Sequence, residues 1–294
     1  MVRPSKVVSL DEAVVAVTPG SSLAIGGFLL HNKPSAFVRA LVKKGVSGLH
    51  LYACPTSSYD ADLLIGAGQV AQTVIAMASF EYLGAAPRYT AAMLTRTVDM
   101  VECDEVTIAG GLLATIEGIP YHPVVSARGH DVARRSTLVT HYRSHTGHEL
   151  VAVAPLRPDV AVVHVQEADA YGNARHLGGR WGDEMLIKAS KHVILTCDRL
   201  IDNAEVRRNP RATTIPGYLV DAVVPLPFGA HPCSSHGKYL QDEAHLSDYL
   251  GAAATEEGFA HYLDTYVHGV ADHAAYIDRV GGGRLDSLRW EFPS

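Results

Sequence analysis

Short apolar, β-rich runs recur along the chain at residues 23–25, 49–53, 73–77, 124–125, 160–165, 192–196 and 222–224. Several carry no polar alternation, the pattern of strands covered on both faces in a parallel sheet. Between them stand segments with helical spacing at 9–17, 34–44, 60–66, 184–189 and 256–266. In the second of these, Phe37, Val38, Leu41 and Val42 share one face. Strand, helix and strand in succession predict an open α/β/α sandwich with a mostly parallel sheet. Ser9-Leu10-Asp11-Glu12 reads as a capping box opening the first helix, with Ser9 as N-cap and Glu12 reaching back to it. No composition shift marks a linker, so residues 1–294 are expected to form one unit.

Two regions leave alternatives open. The polar, interrupted stretch 136–149 reads as a flexible excursion or a contact between subunits. Tyr262, Tyr266, Tyr276 and Trp290 in the C-terminal third either pack against the sheet or dock a second subunit, since interfaces favour aromatics.

The first apolar run ends in Gly26-Gly27-Phe28-Leu29-Leu30-His31-Asn32-Lys33-Pro34. Glycines lack a Cβ, so a ligand can approach their N–H groups closely, and such loops lie beyond the carboxyl ends of the strands, where ligands bind in open α/β sheets. A glycine pair after a strand is more often only a tight turn. The spacing is not the Gly-x-Gly-x-x-Gly fingerprint, and no Gly-Lys-Ser or Gly-Lys-Thr occurs.

Composition narrows the function classes. The 25 basic and 31 acidic residues give a formal charge of −6 with no polybasic tract, which argues against nucleic acid or an anionic membrane as partner. The residues from Met1 to Glu12 are too polar for a secretion signal and no run of eighteen apolar residues occurs, so a cytoplasmic protein is expected. Cys54, Cys103, Cys197 and Cys233 are scattered and read as buried free thiols. Among sixteen histidines, His141, His145 and His148 invite a metal reading, but Arg143, Ser144, Thr146 and Gly147 between them suggest solvated loop residues, and no metal site is expected.

Several segments, in order along the chain, carry a family resemblance. Ile25-Gly26-Gly27-Phe28 with Lys33-Pro34 resembles the Gly-Gly-Phe loop of the first subunit of class I coenzyme A transferases, the glutaconate CoA-transferase type in particular. Pro158 to Gln166 with Asp169 to Asn173, Glu205 to Pro210, Ile215-Pro216-Gly217, Val220 to Val224 and Phe228 to Pro232 are similar to later parts of the same subunit. The resemblance implies CoA transfer between carboxylic acids through a glutamate that forms an anhydride and then an enzyme-CoA thioester. It places that glutamate in a homologous second (β) subunit, so the chain is expected to act as the first (α) subunit of a complex, an α2β2 heterotetramer, and to be inactive alone. Coenzyme A is then part of the substrate and no separate cofactor is expected. Gly26 and Gly27 are the candidates for close approach to the thioester, with Phe28 packed beneath them. Asn32 and Lys33 are candidates to hold a substrate carboxylate or the pantetheine arm, with ordinary solvated surface roles as the alternative.

The departure from the transferase pattern is Glu102-Cys103-Asp104-Glu105. The related steroid-ring hydrolases of actinobacteria carry Asp-Glu there, and Ala78-Ser79-Phe80-Glu81 is also more similar to their sequence, which makes Ser79 a further substrate-binding candidate. The hydrolase resemblance gives Glu105 the role of general base, and a carboxylate shielded by Val106, Ile108 and Leu112 would have a raised pKa suited to it. The simpler reading is that Asp104 and Glu105 open a helix and favour its positive end. The hydrolases' basic pair before the lysine is absent, with Leu30-His31-Asn32 in its place. Motifs of serine hydrolases and zinc peptidases are missing, and a purely structural partner chain is the non-enzymatic alternative.

Overall fold

The computed structural model describes residues 3–125 and 129–290, so Met1 and Val2 of the polar N-terminal stretch lie outside the described residues. Among the described residues, eleven strands form two sheets. They are β1 (Ser22–Ile25), β2 (Leu49–Ala53), β3 (Val70–Val74), β4 (Asp99–Met100), β5 (His122–Val124), β6 (Val139–Arg143), β7 (Glu149–Val153), β8 (Val160–Asp169), β9 (Ala174–Arg175), β10 (His192–Ile201) and β11 (Ala222–Pro225). The large sheet runs β11-β10-β8-β1-β2-β3-β4, with β9 attached to β8. Every pairing in it is parallel except that of β8 with β9. The open α/β/α sandwich expected from the sequence is what forms.

Helices α1 (Leu10–Val14), α2 (Ser35–Lys44), α3 (Tyr59–Gly66), α4 (Pro87–Thr95), α5 (Glu105–Glu117), α6 (Asp131–Arg135) and α7 (Asp183–Ala189) connect the strands. Side chains along the central strands alternate between two cores, because both faces of the sheet are covered. Leu23 and Ile25 of β1 join the core under α2, α3 and the C-terminal helices, whereas Ala24 joins the core under α5 and α7. All ten residues of β8 are buried, His164, Gln166, Glu167 and Asp169 among them. No helix among the described residues is long and apolar enough to cross a membrane.

Differences from the sequence reading have local causes. The capping box at Ser9 is present, but α1 ends at Val14, because the N–H groups of Val15, Ala16 and Val17 bond three residues back as the chain tightens toward Pro19. Pro34 is the N-cap of α2 rather than its first residue. The strand placed at 73–77 is β3, which begins at Val70 and ends at Val74, with Met77 already exposed on the loop beyond. The stretch 136–149 is ordered: β6 turns at 144–148 into β7, and the two pair antiparallel beside β5. Tyr262 and Tyr276 are buried against the chain's own Tyr59, His231 and His245, so the aromatics of this region pack inward, apart from the exposed Trp290. All four cysteines are free thiols, three of them buried.

Candidate functional site

The loop after β1 is built around one peptide unit. The Gly26 N–H continues the sheet by donating to the Val162 carbonyl at 2.9 Å. Gly27 then takes φ +81°, and a Cβ there would lie 2.5 Å from the His31 carbonyl oxygen. The backbone turns back at once, with Phe28 N–H donating to His31 O at 2.9 Å and His31 N–H to Phe28 O at 2.8 Å. Leu29 and Asn32 hold φ of +47° and +54°, a conformation that costs energy in any residue with a side chain and so marks a loop held in place by its surroundings.

What holds it is a buried polar clamp. The Gly27 N–H donates to Asp183 Oδ1 at 2.7 Å, and Asp183 Oδ2 accepts from His176 Nε2 at 2.6 Å, both side chains being fully enclosed. From the other side, Lys33 Nζ donates to the carbonyls of Gly27 at 3.2 Å and Thr56 at 3.1 Å and pairs with Asp60 Oδ2 at 3.3 Å. Asp60 also accepts from Ser57 Oγ at 2.6 Å and Ser58 N–H at 2.9 Å. Asn32 Oδ1 accepts from Gln166 Nε2 at 2.9 Å and from the His236 N–H at 3.1 Å.

These bonds correct three expectations. The Gly26 and Gly27 N–H groups are not free for a ligand, because the sheet and Asp183 already take them. Lys33 and Asn32 are neither solvated nor presented outward; both are 0% exposed and bind the loop to its neighbours. The glycines are required by packing as well: a Cβ on Gly26 would meet Asp183 Oδ1 at 2.8 Å and Val163 Cγ2 at 2.9 Å.

Over the clamp lies an aromatic surface. Phe28, half-buried, does not pack beneath the glycines but stacks on Trp181, centroids 5.0 Å apart at 13°. Trp181 is 38% exposed, with φ +38°. His31 lies 6.0 Å from the Trp181 ring and 5.2 Å from His236. Burial pulls His31 below its ordinary value, with Glu81 opposing and Lys33 reinforcing the shift. Burial takes His236 down to about 4, with His31 and His176 adding to it.

Ser79 joins this edge indirectly. Its hydroxyl accepts the Glu81 N–H at 3.1 Å, and the Glu81 carboxylate lies 3.4 Å from His31 Nε2. Glu105 is the first residue of α5 and is exposed. Val106 is exposed beside it, while Ile108 and Leu112 point into the core, so the apolar shield expected around Glu105 is not formed by this chain. Asp104 is the N-cap, accepting the Thr107 N–H at 2.7 Å, and the helix-opening role of this acidic pair is realised. α5 follows β4 in the parallel sheet, so Glu105 starts at the same carboxyl edge as the glycine loop after β1. Cys54, at the end of β2, is pushed up to about 12 by burial, with Asp183 and Glu105 both adding to the shift.

Sequence reasoning missed Trp181, His176, Asp183, Glu81 and His236, which come from four separate loops and helix starts. The histidines weighed as a metal cluster sit on the β6–β7 hairpin: His141 bonds to the Ala133 carbonyl at 3.1 Å and His148 to Thr146 at 2.9 Å. Among the described residues, a grouping of ligand type is His231, Asp242 and His245, with atoms within 4.8 Å. Its donors are committed elsewhere, since Asp242 takes His231 and both nitrogens of an Arg284 fork, and His245 bonds Tyr262.

Comparison with known proteins agrees with this architecture. A protein of Archaeoglobus fulgidus is 34% identical over 97% of this chain, which spans 64% of that longer protein. The first subunit of glutaconate CoA-transferase from Acidaminococcus fermentans is 29% identical, with 97% of this chain and 95% of the relative covered. The IpdA subunit of a cholesterol ring-cleaving hydrolase of Mycobacterium tuberculosis is also 29% identical, covering 96% of this chain and all of the relative. The crystal structure of the Acidaminococcus glutaconate CoA-transferase superposes with a TM-score of 0.94 at 28% identity, over 98% of this chain and 99% of the other. The coenzyme A transferase family model matches residues 7–225, from the strand bridge before α1 to the end of β11, and thus takes in the glycine loop, its clamp and Glu105: the chain belongs to the coenzyme A transferase family.

Proposed function

We propose that this chain is the first (α) subunit of a heteromeric CoA-transferase that moves coenzyme A between carboxylic acids, working with a homologous subunit that carries the nucleophilic glutamate. The observation that carries this reading is the near-complete superposition on glutaconate CoA-transferase, which leaves the clamped glycine loop at the carboxyl edge of the sheet. The partner's carboxylate attacks the thioester carbonyl, expelling CoA thiolate and leaving an acyl-glutamyl anhydride. The thiolate then attacks the glutamyl carbonyl, releasing the first acid and storing CoA as an enzyme thioester, and the acceptor acid reverses the sequence. Coenzyme A belongs to the substrate, and no other cofactor enters.

In this reading the chain supplies shape and position. The clamp of Asp183 and Lys33 on Gly27 holds a narrow backbone where the acyl thioester passes, and Phe28 with Trp181 forms an apolar wall beside it. The complex is proposed as a cytoplasmic α2β2 assembly. The test is co-expression with the partner: acyl exchange between an acyl-CoA and a free acid is expected from the complex and absent from either chain alone. Exchange by this chain alone would overturn the reading.

A second reading has its own observation. Glu105 sits exposed at the start of α5 on the site edge, and the full-length match to a ring-cleaving hydrolase subunit supports a general base there once a partner surface covers it. Hydrolysis of a cyclic β-keto acyl-CoA without any trapped enzyme thioester would favour it over transfer.

A further inference from the structure

Trp181 is held with its indole at the surface. It is 38% exposed, and its φ of +38° lies in the left-handed region that a bulky residue rarely adopts. The segment before it is shaped for that placement. A Cβ on Gly179 would lie 2.9 Å from Trp181 Cζ2, and one on Gly178 would overlap the His236 ring. The indole lies almost flat against Phe28, at 13°, and against His31, at 15°. Backbone strain of this kind persists where the surroundings fix it, and it clusters at ligand clamps.

The charge around these rings is zero or negative. Burial takes His236 down to about 4 and also pulls His31 down, although Glu81 opposes the shift at His31, so both imidazoles are largely neutral at pH 7. The neighbouring cations are engaged: Lys33 is enclosed with Asp60, Arg180 pairs with Glu184 and Lys238 with Glu167. Two carboxylates stand at the same edge, Glu81 at 3.4 Å from His31 Nε2 and the exposed Glu105 at the start of α5. A second carboxylate on a substrate would meet two like charges here, and none of these cations is free to pair with it.

We propose that the acyl group received at this edge is uncharged beyond its thioester and carries a flat ring, and that Trp181 selects it by stacking on that ring. The inference rests on the reading above only in placing the acyl thioester beside the glycine loop. A planar ring gains both buried area and offset stacking from an indole face, and an alkyl chain ending in a carboxylate gains neither without bringing its charge against Glu81 and Glu105.

The test is calorimetric titration of the complex with its partner, using the dethia analogues of phenylacetyl-CoA and glutaryl-CoA. A methylene replaces the thioester sulfur in these, so no thiolate is released and binding alone is read. The phenylacetyl analogue is expected to bind on the order of tenfold more tightly than the glutaryl analogue. Trp181→Leu keeps an apolar side chain without a ring face and is expected to reduce that ratio to about threefold or less, whereas Trp181→Phe retains most of it. Glutaryl binding as tight as phenylacetyl binding, a ratio unchanged in Trp181→Leu or lost equally in both variants, or no binding by the folded complex would each overturn the proposal. Acyl exchange between phenylacetyl-CoA and acetate is measured alongside. Its absence with the binding preference intact would overturn the transferase reading and leave the ring specificity standing.

Discussion

Replacing Gly27 by alanine measures how tightly the loop at the site is held, and Gly20 provides an internal control. Both glycines have nearly the same backbone conformation, φ +81° and +78°. A Cβ at Gly20 meets nothing within 4 Å, whereas at Gly27 it lies 2.5 Å from His31 O and 2.7 Å from Asn32 O. The left-handed conformation alone costs an alanine roughly 1–2 kcal/mol. The smaller entropy of the unfolded alanine chain offsets part of this by a similar amount in both variants. At Gly27 the overlap falls on backbone that Asp183 and Lys33 hold from both sides, and relieving it adds about 1–3 kcal/mol, the usual cost of forcing atoms into a packed interior. Urea unfolding of the two variants should therefore show Gly27→Ala less stable than Gly20→Ala by about 1–3 kcal/mol. In the complex with its partner, Gly27→Ala should also lower acyl exchange at least tenfold while Gly20→Ala leaves it unchanged. Equal stability losses would refute the clamp, and full exchange by Gly27→Ala would refute its role at the site.

Lys33→Met should destabilise the fold by about 3–5 kcal/mol in urea because Asp60 is left buried without its cation, and adding Asp60→Asn should recover part of that loss; additive losses would refute the pairing. Burial and neighbouring positive groups hold His245 down to about 3, so the folded chain keeps it neutral while the unfolded chain protonates it near pH 6.5. Its contribution is present above pH 6.5 and is lost as pH falls toward 3, at up to about 1.4 kcal/mol per pH unit, and urea midpoints between pH 7 and 4 should show a shallower slope in His245→Gln. In the complex, Glu105→Gln should leave acyl exchange within about threefold of the parent if the partner supplies the nucleophile, whereas a general base at Glu105 predicts that hydrolysis of a cyclic β-keto acyl-CoA falls on the order of a hundredfold.

The sheet was legible because its strands are buried on both faces and their apolar runs have little polar alternation. The Ser9 capping box was legible for a similar reason, since its bonds are made within four residues. The site was legible only as far as the glycine loop. Side-chain direction in that loop depends on partners far along the chain, and Lys33 reads as a solvated lysine until Asp60 and the Thr56 carbonyl are brought against it. Asp183 acts on Gly27 across 156 positions, and no local pattern announces it. The hairpin at 139–153 was hidden by its composition, because β6 carries polar residues on an exposed face and only Val151 and Val153 of β7 reach the small core they share with Val124 and Ala133.

The central claim is that this chain shapes a CoA-transfer site whose nucleophile stands on another subunit. Intact-mass spectrometry of the co-purified complex, incubated with an acyl-CoA and separated into its chains, tests it directly. A coenzyme A adduct on the partner and none on this chain is the predicted result, and borohydride should convert that adduct to a reduced glutamyl side chain. An adduct on this chain, or turnover of the acyl-CoA with no adduct on either, would contradict the account.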